Sequence, residues 1–285
     1  MYLRLPHGST RRRQEHRAAA TPPGPVVLFL PAHDEGVRVA AVIERMPSHV
    51  CGRPTRCLVV DDGSSDDTST AAAAAGAHVV RHRTNRGLGA AVRTGLAAAA
   101  ELDAAVVAFC DADGEYDPAE LALLVEPILA GEADYVVGSR FAGTIDRMRP
   151  HRRAGNVVLT AALGWICRAP ITDGQSGYRA FSRTAAASAS VAHDYNYAQV
   201  LTIDMLSKGF GYREVPIHYA FRTSGTSFVR LGRYLRAVTP TVYRQLNTEV
   251  PARPATSSVL DDVVAEPVPR DMPGCAVEPA AVVDH

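Results

Sequence analysis

The segment Phe109-Cys-Asp111-Ala-Asp113-Gly-Glu115-Tyr-Asp117-Pro118 places carboxylates at alternate positions just where the apolar run Ala104 to Cys110 gives out. The run reads as a buried strand. Pro118 with the periodic Leu121, Leu124, Val125 and Ile128 predicts a helix after it. Successive strand residues point to opposite faces, so Asp111 and Asp113 can point the same way at the mouth of a sheet. Two hard oxygen ligands there suit Mg²⁺ or Mn²⁺, which bind through few protein groups and leave positions for a diphosphate. The competing reading is an acidic turn whose carboxylates only cap the next helix.

Several further polar clusters follow predicted strands. Val26–Leu30 is a short apolar strand that leads into Pro31-Ala-His-Asp-Glu35-Gly36 and a helix over 37–46. Cys57–Val60 is a strand ending in Asp61-Asp62-Gly-Ser64, before a helix through 71–75 and a strand over 78–81. The loop Asn85-Arg-Gly87-Leu-Gly89 precedes an alanine-rich helix over 90–101, and a further strand covers 135–138. Alternating apolar strands and helices predict a parallel α/β sheet, whose ligands bind beyond the carboxyl ends of the strands. The acidic and Asn85–Gly87 clusters therefore converge on one rim. Gly87-Leu88-Gly89 is not a dinucleotide fingerprint, because Val92 stands at the third glycine position and the loop does not follow the first strand. No GxxxxGK[ST] segment exists, which excludes a P-loop.

The 285 residues provide ample core for one large domain or two small ones, and the formal net charge of zero argues against a dedicated nucleic-acid binder. Cys51, Cys57, Cys110, Cys167 and Cys275 lack metal-finger spacing and read as reduced structural thiols of a cytoplasm. No apolar stretch approaches the roughly twenty residues that span a bilayer, and no signal-peptide core is evident. The expected location is cytoplasmic, with a peripheral place on the cytoplasmic membrane face as the alternative. Residues 1–24 are basic and 249–285 acidic and Pro/Ala-rich; both read as disordered around an ordered domain over 25–248.

Pro31-Ala32…Glu35, Asp61-Asp62-Gly-Ser64, Asn85-Arg-Gly-Leu-Gly89, Asp111-Ala-Asp113-Gly-Glu115 and Val137-Gly-Ser-Arg140-Phe141 follow one another in order. Together they resemble the family 2 glycosyltransferases, which have the GT-A fold. Thr172-Asp-Gly-Gln-Ser176-Gly-Tyr-Arg179 and Glu214-Val-Pro-Ile217…Arg222-Thr-Ser-Gly-Thr-Ser227 resemble the dolichol-phosphate mannosyltransferase branch. The resemblance implies an α/β GT-A fold with a mostly parallel central sheet flanked by helices, in a single catalytic domain. It also implies an inverting, metal-dependent hexosyl transfer from a nucleotide sugar, GDP-mannose leading and UDP-glucose or UDP-GlcNAc as alternatives, to a polyprenyl phosphate.

Carried over by residue, Pro31, Ala32, Glu35 and Asp61 would hold the nucleoside, and Asp62, Asn85 and Gly87 would shape the same pocket. Asp111, Ala112 and Asp113 would border the donor. Asp111 and Asp113 would meet Mg²⁺ or Mn²⁺, with Glu115 beside them. Arg140 and Arg153 would receive the acceptor phosphate, joined by Arg230, the nearest cation to Phe228, which stands where the family often has lysine. Asp34 replaces the family's asparagine.

An acceptor phosphate is already anionic and needs no strong base. A hydroxyl or amine of a small-molecule acceptor would need one, and Asp173 is the candidate, the alternative being a turn residue. Apolar residues at helical spacing from Phe228 to Leu246, interleaved with arginines, predict a basic amphipathic helix over 228–246 that either lies on a membrane surface or packs on its own domain. A non-catalytic nucleotide-sugar binder is the third reading. The acidic pair and Arg140 argue against it.

Overall fold

The computed structural model describes residues 22–191, 197–220 and 263–265. In chain order the first elements are β1 (Val26–Ala32), α1 (Gly36–Glu44), β2 (His49–Val50), β3 (Arg53–Asp61), α2 (Thr68–Ala74), β4 (His78–His82), α3 (Leu88–Glu101) and β5 (Val106–Phe109). A 3-10 turn at Pro118–Glu120 leads into α4 (Leu121–Leu129) and β6 (Tyr135–Ile145). There follow α5 (Pro150–Cys167), β7 (Arg179–Ser182), α6 (Arg183–Ser188), α7 (Ala198–Ser207), β8 (Tyr212–Tyr219) and β9 (Val263–Ala265).

β1 is apolar throughout because both its faces are covered. Val26, Leu28 and Leu30 pack into a core with Val39 and Val42 of α1, Ala72 of α2 and Leu124 of α4. Val27 and Phe29 face the opposite core, with Val92 and Leu96 of α3, Ala185 of α6 and Leu201 and Met205 of α7. The period-2 alternation continues in β5, where Val106 and Ala108 join the first core and Val107 and Phe109 the second.

The strands lie in the order β8-β6-β7-β5-β1-β3-β4-β9, with β2 paired to β3. β1, β3, β4, β5, β6 and β8 run one way; β7 runs against both β5 and β6. The mostly parallel sheet expected from the sequence is therefore present, with one reversed strand at its centre. β3 starts earlier than its apolar run suggests, because its half-exposed first residues pair antiparallel with β2. β6 continues to Ile145 through an irregularity between Ser139 and Thr144.

One short strand lies inside the C-terminal segment read as disordered. Val263–Ala265 pairs antiparallel to β4, covering that strand's outer edge. Three residues of pairing outweigh the acidic, proline-rich composition locally, because the edge supplies ready backbone partners. The predicted helix over 228–246, Arg230, Phe228 and the basic N-terminal residues 1–21 lie outside the described residues. Among the described residues, no helix is long and apolar enough to cross a membrane. Ending the chain at residue 251 should leave the protein folded but speed amide exchange at Val80–His82, with β1 and β3 unchanged; a global loss of protection would show that the tail supports the whole sheet.

Candidate active site

The sheet register sets the rim. Ala32 ends β1 opposite Asp61 of β3, Asp61 lies opposite Arg81 of β4, and Phe29 opposite Phe109 brings Asp111 and Asp113 just past the end of β5. The β1–α1 and β3–α2 loops are stitched together. Asp34 N donates to Ser64 Oγ at 3.0 Å, Glu35 N to Thr68 Oγ1 at 2.9 Å, and Gly36 N to Asp66 Oδ2 at 3.0 Å. Asp34 sits in the left-handed region, φ 54°, and its Oδ1 accepts from Ser65 N at 2.8 Å. Asparagine and aspartate both tolerate that backbone and can both accept that bond, so the Asp34 departure keeps the geometry.

The donor-side residues fall into two groups. Pro31 and Ala32 close β1, and the Ala32 carbonyl accepts from Asp62 N at 2.8 Å. Glu35, nearly buried, pairs with Arg38 at 2.9 Å. Asp61 is fully buried; it accepts from Ser64 N at 2.8 Å and from Ser69 Oγ, and lies 3.6 Å from Arg81 Nε. Asp62 turns inward: Oδ1 takes His82 Nδ1 at 2.7 Å and Arg86 N at 2.9 Å, and Oδ2 takes Gly87 N at 2.8 Å. Burial would raise its pKa, but these donors outweigh it and hold the carboxyl below its ordinary value. Asp62 thus holds the Asn85–Gly87 loop in place rather than presenting its carboxylate to a ligand. Asn85 remains exposed, its Oδ1 accepting from Gly87 N at 3.1 Å.

Beyond β5, the half-buried Asp111 is pushed up to about 7 by loss of solvation and then by the charges of Asp113 and Glu115, with Arg140 and Arg179 opposing. Burial and Asp113 also raise Glu115, against Tyr219, Arg152 and Arg140. The main chain turns at Gly114, φ 79°, and Tyr219 Oη donates to Glu115 Oε2 at 2.5 Å. Asp113 Oδ1 accepts from Glu115 N at 3.0 Å, and Ala112 is buried beside it. Among the described residues, no three His, Cys, Asp or Glu side chains gather to hold a metal ion. The expected set of Asp111, Asp113 and Glu115 is therefore not assembled as three ligands, because the turn and Tyr219 hold Glu115 in its own hydrogen bond. Asp111 and Asp113 still fit Mg²⁺ or Mn²⁺, which need only one or two carboxylates when diphosphate oxygens complete the shell. Asp113 raises the proton affinity of Asp111, and a cation at the pair would relieve that crowding of negative charge.

Across the rim stands a buried ion pair that the sequence reading had separated into two roles. Arg140 Nε meets Asp173 Oδ2 at 2.7 Å and Nη2 meets Oδ1 at 2.9 Å. Oδ2 also accepts from Arg140 N and Oδ1 from Gln175 N, both at 3.1 Å. These four bonds match the roughly four lone-pair sites of a carboxylate. Asp173 is thus not placed as a general base; it positions Arg140. The Arg140 fork is correspondingly engaged, so Arg140 brings charge toward Asp111 and Glu115 rather than an open bidentate clamp. Burial would lower the Arg140 pKa, but Tyr116 and Asp173 raise it, keeping it charged.

The loop carrying Asp173 is held from all sides. Glu214 of β8 accepts from Thr172 N at 3.0 Å and Asp173 N at 3.1 Å. Thr160 Oγ1 of α5 accepts from Gly174 N at 3.1 Å, and Tyr116 Oη from Gly177 N at 2.8 Å. Arg179, fully buried, donates to Ser176 O at 2.9 Å, Gly174 O at 3.3 Å and Thr202 Oγ1 at 2.9 Å. Arg179 and Glu214 were visible only as motif members, and Thr202 and Thr172, which they bond, lie 23 and 42 residues away. A Cβ at Gly177 would lie 2.4 Å from Asp111 Oδ2. Gly177→Ala should therefore displace Asp111 and cut transfer about tenfold or more, while Tm falls by a few degrees; unchanged activity would show that Asp111 has room to spare.

Arg153 is exposed on α5, its guanidinium 5.9 Å from the Phe141 ring centroid. Its neighbour Arg152, not singled out in the sequence, is the one that interacts electrostatically with Glu115 and Tyr219. Two buried polar atoms among the described residues lack partners, His33 Nδ1 and Gln175 Nε2. His33 adjoins Asp34 at the end of β1, and Gln175 lies in the loop held by Glu214 and Arg179. Such orphaned groups are costly unless a ligand meets them.

Known proteins resemble this chain across the strands that carry the rim. The family model described as glycosyl transferase family 2 matches residues 27–188. The UDP-N-acetylglucosamine–dolichyl-phosphate N-acetylglucosaminyltransferase of Methanococcus voltae is 30% identical over 179 residues, 56% of this chain and 70% of that one. The polyprenol monophosphomannose synthase of Mycolicibacterium smegmatis is 31% identical over 229 residues, 75% of this chain and 84% of that one. Among solved structures, glucosyl-3-phosphoglycerate synthase from Mycobacterium tuberculosis with Mn²⁺, UDP and glucosyl-3-phosphoglycerate aligns with TM-score 0.64 and 25% identity, covering 87% of this chain and 88% of that one. The match from β1 through α6 takes in the acidic turn after β5, the Arg140 strand and the Asp173 loop, and on it the chain belongs to glycosyl transferase family 2.

Proposed function

We propose that the protein moves a hexose from a nucleotide sugar, with GDP-mannose the leading donor, to a polyprenyl phosphate. The observation that carries this reading is the juxtaposition of the mutually repelling carboxylates Asp111, Asp113 and Glu115 with Arg140 and Arg152. That pattern suits a reaction joining two phosphate-bearing substrates. Of two similar proteins, the one from M. voltae is named for transfer between UDP-N-acetylglucosamine and dolichyl phosphate, and the one from M. smegmatis for making polyprenol monophosphomannose.

When bound at Asp111 and Asp113, Mg²⁺ or Mn²⁺ would neutralise charge developing on the departing diphosphate. The chain's own residues do the rest. The stitched loops carrying Pro31, Glu35 and Asp61 give a preformed edge for the nucleoside. Arg152 and Arg153, at the start of α5, are exposed guanidiniums that can orient an acceptor phosphate, while Asp173, its loop held by Glu214, keeps Arg140 charged and directed behind it. A phosphate oxygen needs no proton removed, which fits a site whose candidate base is saturated with hydrogen bonds.

The reading is tested by supplying Mn²⁺ and radiolabelled nucleotide sugars with or without a short polyprenyl phosphate. Label should pass into organic solvent only when the lipid phosphate is present, most with GDP-mannose. Label that appears solely in a water-soluble product would instead support the small-molecule acceptor.

A further inference from the structure

We propose that the outward face of α5 lies on an anionic lipid bilayer. α5 is 18 residues long, yet only Thr160 and Leu163 are buried in the domain. Val157, Val158 and Trp165 are 51, 67 and 82% exposed. At about 100° per residue these three fall, with Ala161 and Ala162, in one arc opposite Thr160 and Leu163. A helix so thinly packed on its own protein gains little tertiary support, and a second apolar contact is the usual remedy.

Charge selects the occupant. Exposed Arg149, Arg152 and Arg153 stand at the start of the helix and Arg168 just past its end, and α5 contains no acidic residue. An apolar stripe with a tryptophan and arginines at both ends suits the boundary between acyl chains and anionic headgroups. A second copy of this chain suits it less, because a two-fold pairing of the patch on itself would bring the arginines of both copies together. The inner face of α5 bears on the site, since Thr160 accepts from Gly174 N in the Asp173 loop. By the same spacing Arg152 and Arg153 fall on the site side of α5, so a seated helix would place them between the bilayer surface and the acidic turn, along the path of a lipid-borne phosphate. That purpose rests on the acceptor reading above; the docking itself does not.

Trp165 is the chain's one tryptophan, so its emission reports on this face alone. The full chain, without donor or acceptor, is mixed with vesicles of phosphatidylglycerol and phosphatidylcholine, and with phosphatidylcholine alone. The expected result is a blue shift and quenching by brominated lipid with the anionic vesicles. Binding should be weakened by about 0.5 M salt. Val158→Asp should bind about tenfold or more weakly at unchanged Tm, as its position is exposed. Three results would overturn the proposal: no spectral change with anionic vesicles; a Trp165 already shielded from acrylamide in vesicle-free monomer, which would mean the chain covers its own helix; or dimers in light scattering that Val158→Asp dissolves. Vesicle binding without lipid-phosphate glycosylation would refute the acceptor and leave the docking face standing.

Discussion

Replacing Asp113 by asparagine should lower sugar transfer by roughly 10²- to 10³-fold, corresponding to about 3 to 4 kcal/mol of lost transition-state stabilisation. The substitution keeps size and shape, and an amide oxygen can still accept from Glu115 N, the bond that now shapes the turn at 3.0 Å. What disappears is the negative charge, and a neutral amide holds a divalent cation far less tightly. Removing one carboxylate also relieves Asp111, whose pKa is pushed up by burial and then by Asp113. Tm should therefore hold steady or rise slightly while activity collapses. Chelator should abolish the parent activity, and excess Mn²⁺ should restore part of the variant's. Near-normal turnover by the folded variant would remove Asp113 from the site.

Asp173→Asn is expected to damage the protein in a different way. The backbone N–H groups of Arg140 and Gln175 reach different Asp173 oxygens, so asparagine can accept from only one of them, and it leaves the Arg140 guanidinium, 5% exposed, without its counter-charge. Removing one partner of a buried pair costs roughly 3 to 5 kcal/mol, on the order of 10 °C in Tm for a domain of this size. Adding Arg140→Met should recover most of that loss, since the unpaired charge goes with it, and the two changes should be strongly non-additive. Activity should stay low in the double variant. If Asp173 were a free base, Asp173→Asn would leave Tm unchanged and Arg140→Met would add its own separate penalty.

That pair illustrates what the sequence could and could not convey. β1 and β5 were legible because burial on both faces demands unbroken apolar runs, and the acidic turn stood out at the end of one of them. The shared rim followed from strand–helix alternation alone. α5 escaped notice because its apolar residues do not form a buried stripe: most face outward. β7 escaped because Arg179-Ala-Phe-Ser182 reads as polar, although its arginine is fully buried against carbonyls and a threonine. Asp173 and Arg140 lie 33 residues apart, and no local pattern ties them together. Likewise, Arg152 and Arg153 are equivalent as letters and differ only in where a helix turns each one. The family resemblance gave Asp62 a part in shaping the donor pocket with Asn85 and Gly87, but not its bonds to His82, Arg86 and Gly87, 20 to 25 residues away.

The central claim is that the acceptor is an anionic phosphate oriented by arginines, with no general base removing a proton. Comparing one polyprenyl chain as its phosphate and as its free alcohol tests this most directly, at equal concentration with Mn²⁺ and the best donor. The phosphate should be glycosylated and the alcohol should not, by a margin of at least about 10³-fold, since the alcohol lacks both the charge and the ionised nucleophile. Comparable rates on the two acceptors, or transfer to the alcohol alone, would contradict the account.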